Sequence, residues 1–162
     1  MNWLMLVMAV VTAIFLIVSF VQDIKERTVF SFPCLVLIDA WAIVLWNVVS
    51  YRKAEVICFL VVHSVLFILM KVFKVWGDGD SDMFLLFANI CLVCVPTSNI
   101  IALAITECLL LIASIAISIG IGAIEYRCRK RKFALSGDMA VIPGFSIVLI
   151  VVMAIYVIGR FK

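Results

Sequence analysis

The acidic residues that could do chemistry stand at two places along the chain. Asp23 lies in the segment 21–27, and Asp80 closes Gly77-Asp78-Gly79-Asp80, with Asp82 two residues further on. Neighbouring carboxylates repel each other, so at least one of the second group should have an elevated pKa. Two close carboxyl groups titrate as a coupled pair, in which one is ionised and the other protonated. The ionised member can take a proton from water while the protonated member polarises a carbonyl group.

These residue types predict a hydrolytic pair made of Asp23 and Asp80, the arrangement that aspartic peptidases use. Asp78 and Asp82 are candidates for tuning the pKa of Asp80. The alternative is purely structural: Asp23 would be tied to Lys25 or Arg27, and Asp80 would cap the helix that follows it.

Two glycines and two basic residues accompany the predicted pair. Gly77 and Gly79 let the backbone turn sharply and let an extended substrate approach without a Cβ atom in the way. Lys25 and Arg27 could hold their loop at the lipid headgroups, lower the pKa of Asp23, or do both, and these roles remain open. A GxGD match alone is weak, because Gly-Asp pairs occur in many loops. A second acid at the same membrane face and a short following helix make it more specific.

The composition indicates that these residues are positioned by membrane helices. Of the 162 residues, 67% are hydrophobic and 14% are charged, whereas an ordinary soluble domain is about half apolar and about a quarter charged. The apolar residues form long runs, and about 20 of them span a bilayer as a helix. We therefore predict an all-α, polytopic membrane protein in which residues 1–162 form a single transmembrane domain. The first run has no cleavage signal after it, so we interpret it as a retained helix.

The apolar runs predict about six spans, the fourth of which is unusually short. Its 13 residues cover about 20 Å of a hydrocarbon layer about 30 Å thick. Either the 77–82 segment extends this helix, or it dips below the surface, where irregular backbone needs protein or water around it. The predicted spans are Trp3–Val21, Phe32–Val49, Val56–Phe73, Met83–Val95, Ile100–Ile124 and Met139–Ile158.

The basic residues predict the orientation of these spans. The loops after spans one, three and five hold most of them: Lys25, Arg27, Lys71, Lys74, Arg127, Arg129, Lys130, Arg131 and Lys132. The opposite side holds Arg52, Lys53, Arg160 and Lys162. By the positive-inside rule the first set faces the cytoplasm, so both termini are external and the acidic pair lies at the cytoplasmic face. With no basic surface domain, nucleic-acid binding is not expected.

In these motifs the chain resembles the prepilin peptidases, the GxGD-type membrane aspartic peptidases that process type IV pilin precursors. Their first motif is an aspartate with basic residues at the second and fourth positions after it and then a β-branched residue. Here the matching residues are Asp23, Lys25, Arg27 and Val29. Their second motif is matched by residues 77–80, and a proline motif early in the final span is echoed by residues 142–145. The chain departs from the pattern at Phe30-Ser31, where Pro-Asn is typical, and at Asp82, where lysine is usual.

The resemblance implies a function for this chain. No cysteine-rich insert fits between spans one and two, so it resembles the short, peptidase-only form without methyltransferase activity. The expected substrate is a pilin-like precursor of the Flp or Tad type, cut at the cytoplasmic membrane face just before its hydrophobic helix. The lipid bilayer is its surroundings, and no metal or organic cofactor is implied.

Three ionisable residues inside apolar runs leave room for functions of other classes. Asp39 and His63 fall within about 5 Å of each other in depth and are expected to hydrogen-bond across helices. Glu107 is expected nearer the outer face, solvated or paired there. If all three formed a proton or cation path, the chain would be a small transporter or channel subunit. A third possibility is a non-catalytic subunit of a secretion apparatus, which should tolerate the loss of both Asp23 and Asp80.

Overall fold

The described residues of the chain fold almost entirely into α-helices. The computed structural model describes residues 3–48, 51, 53–74, 77–97, 99–128 and 140–161, and these residues form six α-helices and no strand. The helices are α1 (Trp3–Glu26), α2 (Ser31–Val48), α3 (Lys53–Val72), α4 (Asp78–Cys94), α5 (Ile100–Cys128) and α6 (Ile142–Phe161). Each predicted span corresponds to one helix. Predicted features at residues 52, 98, 129–132, 139 and 162 lie outside the described residues, as do the side chains of Asp78 and Arg160.

Four helices are long and apolar enough to cross a bilayer, namely α1, α3, α5 and α6. Helix α2 is apolar but shorter, and α4 has 17 residues. The chain is therefore all-helical and has the helices of a membrane-embedded protein, while the count of six spans remains a prediction. Helix α1 runs five residues past its predicted end, so that Asp23 stands in its final turns rather than in a loop.

Helix α4 is the centre of the molecule. It packs against α2, α3, α5 and α6, and nearly all its side chains after Asp80 are buried, among them Leu86, Phe87 and Ile90. Because the other helices surround it, α4 has little contact with lipid and does not need the length of a lipid-facing span. The first predicted alternative is observed: the acidic segment extends this helix, which begins at Asp78 after the N-cap residue Gly77.

The start of α6 is fixed against α5 by one glycine and one serine. A Cβ atom on Gly144 would lie 1.9 Å from the backbone oxygen of Ser114, so only glycine fits this helix crossing. The Ser118 hydroxyl donates a hydrogen bond to Val141 O (2.7 Å) and accepts one from Gly144 N (3.0 Å). The bond from Gly144 N satisfies one of the N–H groups that a helix N-terminus otherwise leaves unpaired. Both bonds also set the position of Ile142, the first residue of α6.

Candidate active site

Asp23 contacts the N-terminus of α6. Its side chain is buried, with 6% of the residue exposed, and its Oδ2 atom accepts a hydrogen bond from Ile142 N at 3.1 Å. The N–H groups of a first helical turn have no partner within the helix, and the helix dipole favours negative charge there. The predicted structural alternative placed Asp23 on Lys25 or Arg27. The hydrogen-bond partner observed for Asp23 is instead the backbone of a helix 119 residues away.

Arg27 ends α1 and links it to α5. Its backbone adopts a positive φ of 56°, which is typical of the residue after a helix, and its N–H donates to Asp23 O at 3.1 Å. Its Nη2 atom lies 2.7 Å from Oε2 of Glu125. This ion pair fixes the end of α1 next to Asp23, so Arg27 shapes the loop. Lys25 is exposed.

Asp80 sits in the first turn of α4, where its carboxyl group folds back over the N-cap residue. It accepts a hydrogen bond from the backbone N–H of Gly77, and a Cβ atom on Gly77 would lie 3.2 Å from its Oδ2 atom. An acid at the third helical position bonded to the N-cap N–H is half of a capping box. The capping contact predicted for Asp80 is therefore present.

Asp23 and Asp80 lie close enough to interact electrostatically. Burial and, next, the charge of Asp23 raise the pKa of Asp80 to about 6, although the hydrogen bond from Gly77 opposes both effects. A capping carboxylate at a helix N-terminus would be favoured in its ionised form, so the raised pKa requires the burial and the second acid. At pH values near 6 the pair can therefore hold a single proton on the Asp80 side.

Gly79 brings the two acidic segments together. A Cβ atom on Gly79 would lie 2.9 Å from Cβ of Val29, in the loop that follows α1. Real Cβ atoms do not approach so closely, so the start of α4 and the α1–α2 loop are in contact because Gly79 has no side chain. Gly79 thus allows the two acidic segments to pack together in this structure, whereas the sequence suggested that both glycines make room for substrate.

Asp82 is paired with a lysine. It is fully buried, and its Oδ1 atom lies 2.7 Å from Nζ of Lys71 in the last turn of α3. The pKa of Asp80 responds to burial, to Asp23 and to Gly77, and Asp82 is not among the groups that shift it. The tuning role considered for Asp82 stays a prediction, whereas the Lys71–Asp82 ion pair joins α3 to the start of α4.

Removing the lysine of this pair is expected to destabilise the fold. Lys71→Met keeps the apolar stem but leaves Asp82 buried without its counter-charge. Breaking a fully buried pair costs about 3–5 kcal/mol. Because the Lys71 side chain is 35% exposed, we expect a smaller loss of roughly 1–3 kcal/mol, measured by thermal unfolding in detergent. Lys71→Met/Asp82→Asn should recover most of it, and equal instability of the single and double variants would contradict the ion pair's role.

The three mid-helix ionisable residues are not assembled as predicted. His63 pairs with Glu107: its Nε2 atom lies 3.0 Å from Oε1 of Glu107, and its Nδ1 atom lies 2.8 Å from Phe59 O. Both side chains are buried. Of the two alternatives predicted for Glu107, the paired one is therefore observed and the solvated one is not, and its partner is His63. Asp39 is exposed on α2. The expected hydrogen bond between Asp39 and His63 is absent from the described structure, because matching depth along two helices does not fix their rotation.

An open groove of about 450 Å³ lies along one face of α1. Ile17, Val21, Gln22, Lys25 and Phe30 are among its lining residues, and neither Asp23 nor Asp80 is. Lys25 therefore belongs to the surface of this groove rather than to the interior of the site.

Three contributions to the site were missed from the sequence: the backbone N–H of Ile142, Glu125 and Lys71. The two charged residues carried a usable signal, since they lie at helix ends that the predicted topology places at the same membrane face as Asp23 and Asp80. The backbone donor carried none.

No family model, curated protein or solved structure matches this chain. What the protein does is therefore inferred from its own residues and their geometry.

Proposed function

We propose that this chain is an aspartic endopeptidase of the membrane that removes the leader of a pilin-like precursor at the cytoplasmic face. The observation that carries the proposal is the pair of the buried Asp23 and the half-buried Asp80. Desolvation and then the charge of Asp23 raise the pKa of Asp80 to about 6. Acids with perturbed pKa values that interact at one end of a helical bundle are candidates for catalytic residues.

The pair supplies both groups that peptide hydrolysis needs. Asp80 carries the proton, and Asp23 is the carboxylate, with Oδ2 held by Ile142 N–H. Asp23 takes a proton from water as the water oxygen attacks the scissile carbonyl carbon, while Asp80 donates its proton to the carbonyl oxygen. The tetrahedral intermediate then collapses: the carbon–nitrogen bond breaks, the amine leaves with the proton from Asp23, and Asp80 recovers its own.

The substrate class rests on the motifs and on the charge distribution. The resemblance to prepilin peptidases covers the Asp23 motif, the GxGD motif and the start of the final span, and all three segments meet at one end of the bundle through the Asp23–Ile142 and Gly79–Val29 contacts. At the position where that family usually has lysine, Asp82 is neutralised by Lys71 from α3. The positive-inside rule supports a cytoplasmic location for this end.

The rate of cleavage is expected to fall as pH rises through about 6. The protonated form of Asp80 is needed, and its raised pKa keeps the proton until about that pH. The folded chain also binds this proton more tightly than the unfolded chain, in which the group titrates near 3.8. The free energy of unfolding should therefore fall as pH rises from 3.8 to about 6. Above about pH 6 the stabilisation from the Asp80 proton should be lost entirely. A pH profile of kcat/KM tests the alkaline limb, and a rate that rises from pH 6 to 8 would contradict it.

Co-expression with a pilin-like precursor from the same genome tests the proposed function. The precursor should shorten on a gel with the wild-type chain and keep its length with Asp23→Asn/Asp80→Asn. Glu55→Gln, a carboxylate-to-amide change near the start of α3, at the opposite end of the bundle, is the matched control and should still cleave. Cleavage by the double variant would exclude the carboxyl mechanism. No cleavage by the wild-type chain would favour the non-catalytic assembly subunit, consistent with the departures at Phe30-Ser31 and Asp82.

The buried His63–Glu107 pair favours a second candidate, a small transporter or channel subunit that moves a proton. Asp39 lies apart from the pair, so the three-residue path considered from the sequence is not formed by the described structure. If this second proposal holds, His63→Gln should abolish proton flux into vesicles that contain the chain, and Asp23→Asn should leave the flux unchanged.

A further inference from the structure

One face of α2 is apolar, exposed and interrupted by a single carboxyl group. Its residues recur at alternating spacings of four and three, the pattern of a helix that packs along another helix. Phe32 is 77% exposed, Val36 51%, Ile43 66% and Trp46 54%. Asp39 is exposed at the centre of this stripe. We call residues 32, 36, 39, 43 and 46 the Asp39 face.

Asp39 lies far from both ends of its helix. It is eight residues after Ser31 and nine before Val48, so about 12–14 Å of helix separates it from either end. Within the described part of the chain, Asp39 takes part in none of the ion pairs. It also makes no other polar contact there. Carboxyl groups at mid-depth in a membrane are costly and nearly always face a polar partner.

This chain does not supply the missing partner from its own described helices. The basic residues of α1, α3, α5 and α6 are at helix ends, at Lys25, Lys53, Lys71, Arg127 and Arg160. Helix α2 has none, and a symmetric contact between two copies of the Asp39 face would bring two carboxyl groups together. The amine groups of lipid heads lie at the bilayer surface, too far from the middle of α2.

We propose that the Asp39 face binds a membrane-spanning helix of another protein that carries a lysine or arginine at mid-depth. The apolar residues pack along that helix, and the ion pair with Asp39 fixes its register, as a single polar residue does in paired helices. The face is opposite the buried side of α2, where Cys34, Trp41 and Leu45 pack inside the molecule. It is separate from the Asp23–Asp80 pair and does not depend on the proposed peptidase activity.

Designed transmembrane peptides test the charge requirement. The full chain is reconstituted in phosphatidylcholine vesicles with a labelled Leu/Ala helix that carries arginine at its centre, or leucine at the same position as the control peptide. Energy transfer reports association. The arginine peptide should bind about tenfold more tightly than the leucine peptide, and Asp39→Asn should remove this preference. With Asp39→Lys, a peptide with central glutamate should become the preferred one. Equal binding of the arginine and leucine peptides, or a preference that survives Asp39→Asn, would overturn the proposal.

Photo-crosslinking locates the contact. A photoreactive residue at Ile43 should capture the arginine peptide, and one at Ile112, which is 64% exposed on α5, should not. Capture at both positions would show unspecific lipid-phase contact and overturn the proposal. Capture of a second copy of the chain at Ile43 in place of the peptide would also overturn it. Because Asp39 is exposed, its variants should keep the helical content of the wild type, measured by circular dichroism.

Discussion

Asparagine at either Asp23 or Asp80 is expected to lower the rate of precursor cleavage by about 10³-fold or more. Proton transfer by a positioned side chain contributes roughly 10²–10⁴-fold, and here each member of the pair transfers a proton in the same step. The amide has nearly the shape of the carboxyl group, so the side chain introduced by Asp23→Asn can still accept the hydrogen bond from Ile142 N–H. Asp80→Asn also removes an ionised form that burial and Asp23 disfavour, so it should not destabilise the fold.

The two residues should also behave as one unit. Because neither works without the other, Asp23→Asn/Asp80→Asn should be no slower than the slower single variant. The measurement is kcat/KM for purified variants in detergent, with thermal unfolding on the same samples and Glu55→Gln as the control. If the kcat/KM losses of the two single variants multiplied in the double variant, the shared step would be contradicted. A loss of rate that only follows a loss of folded protein would contradict it as well.

Alanine at Gly144 is expected to prevent the α5–α6 crossing from forming. The new Cβ atom would lie 1.9 Å from Ser114 O and 2.4 Å from Oγ of Ser118. Backbone atoms of a packed helix cannot move aside cheaply, so the cost should exceed the roughly 1–3 kcal/mol typical of overpacking. The start of α6 would shift, and the hydrogen bond from Ile142 N to Asp23 with it. We expect a large fall in the thermal unfolding midpoint and loss of cleavage.

Two other glycines provide the control for this change. A Cβ atom on Gly159, in the same helix, or on Gly120, in α5, would meet no atom within 4 Å. Gly159→Ala and Gly120→Ala should unfold at or slightly above the wild-type temperature, because alanine favours helix more than glycine does. If Gly144→Ala were as stable as these two variants, the close packing at the α5–α6 crossing would be wrong.

The helices could be predicted from the sequence, because a bilayer requires long apolar runs and short polar loops. Each of the six runs forms one helix. The sequence left open whether the segment before Met83 is helical, and in the structure it forms the first turn of α4. Helix α4 is enclosed by its neighbours, so its length is not set by the thickness of the bilayer. The end of α1 was placed too early, since charged residues from Asp23 to Glu26 were interpreted as a loop although they continue the helix.

The candidate site could be predicted only in part, because its partners are distant in sequence. Because successive spans run in opposite directions, the sequence correctly places Asp23 and Asp80 at one end of the bundle. Asp82 was interpreted as a neighbour of Asp80, but successive side chains on a helix point in different directions, and Asp82 faces Lys71. Depth along the helices suggested Asp39 as the partner of His63. The rotation of each helix, which depends on packing, selects Glu107 instead.

The central claim is that Asp23 and Asp80 share one proton, and a direct titration of the Asp80 carboxyl group tests it. Infrared difference spectra of the isotope-labelled protein report the protonated carboxyl groups, and the Asp80→Asn variant identifies the band of Asp80. For the wild-type chain we expect a midpoint at about pH 6. In Asp23→Asn the midpoint should fall towards the ordinary value, because the neighbouring charge has been removed. A midpoint that is the same in both proteins would contradict the pair.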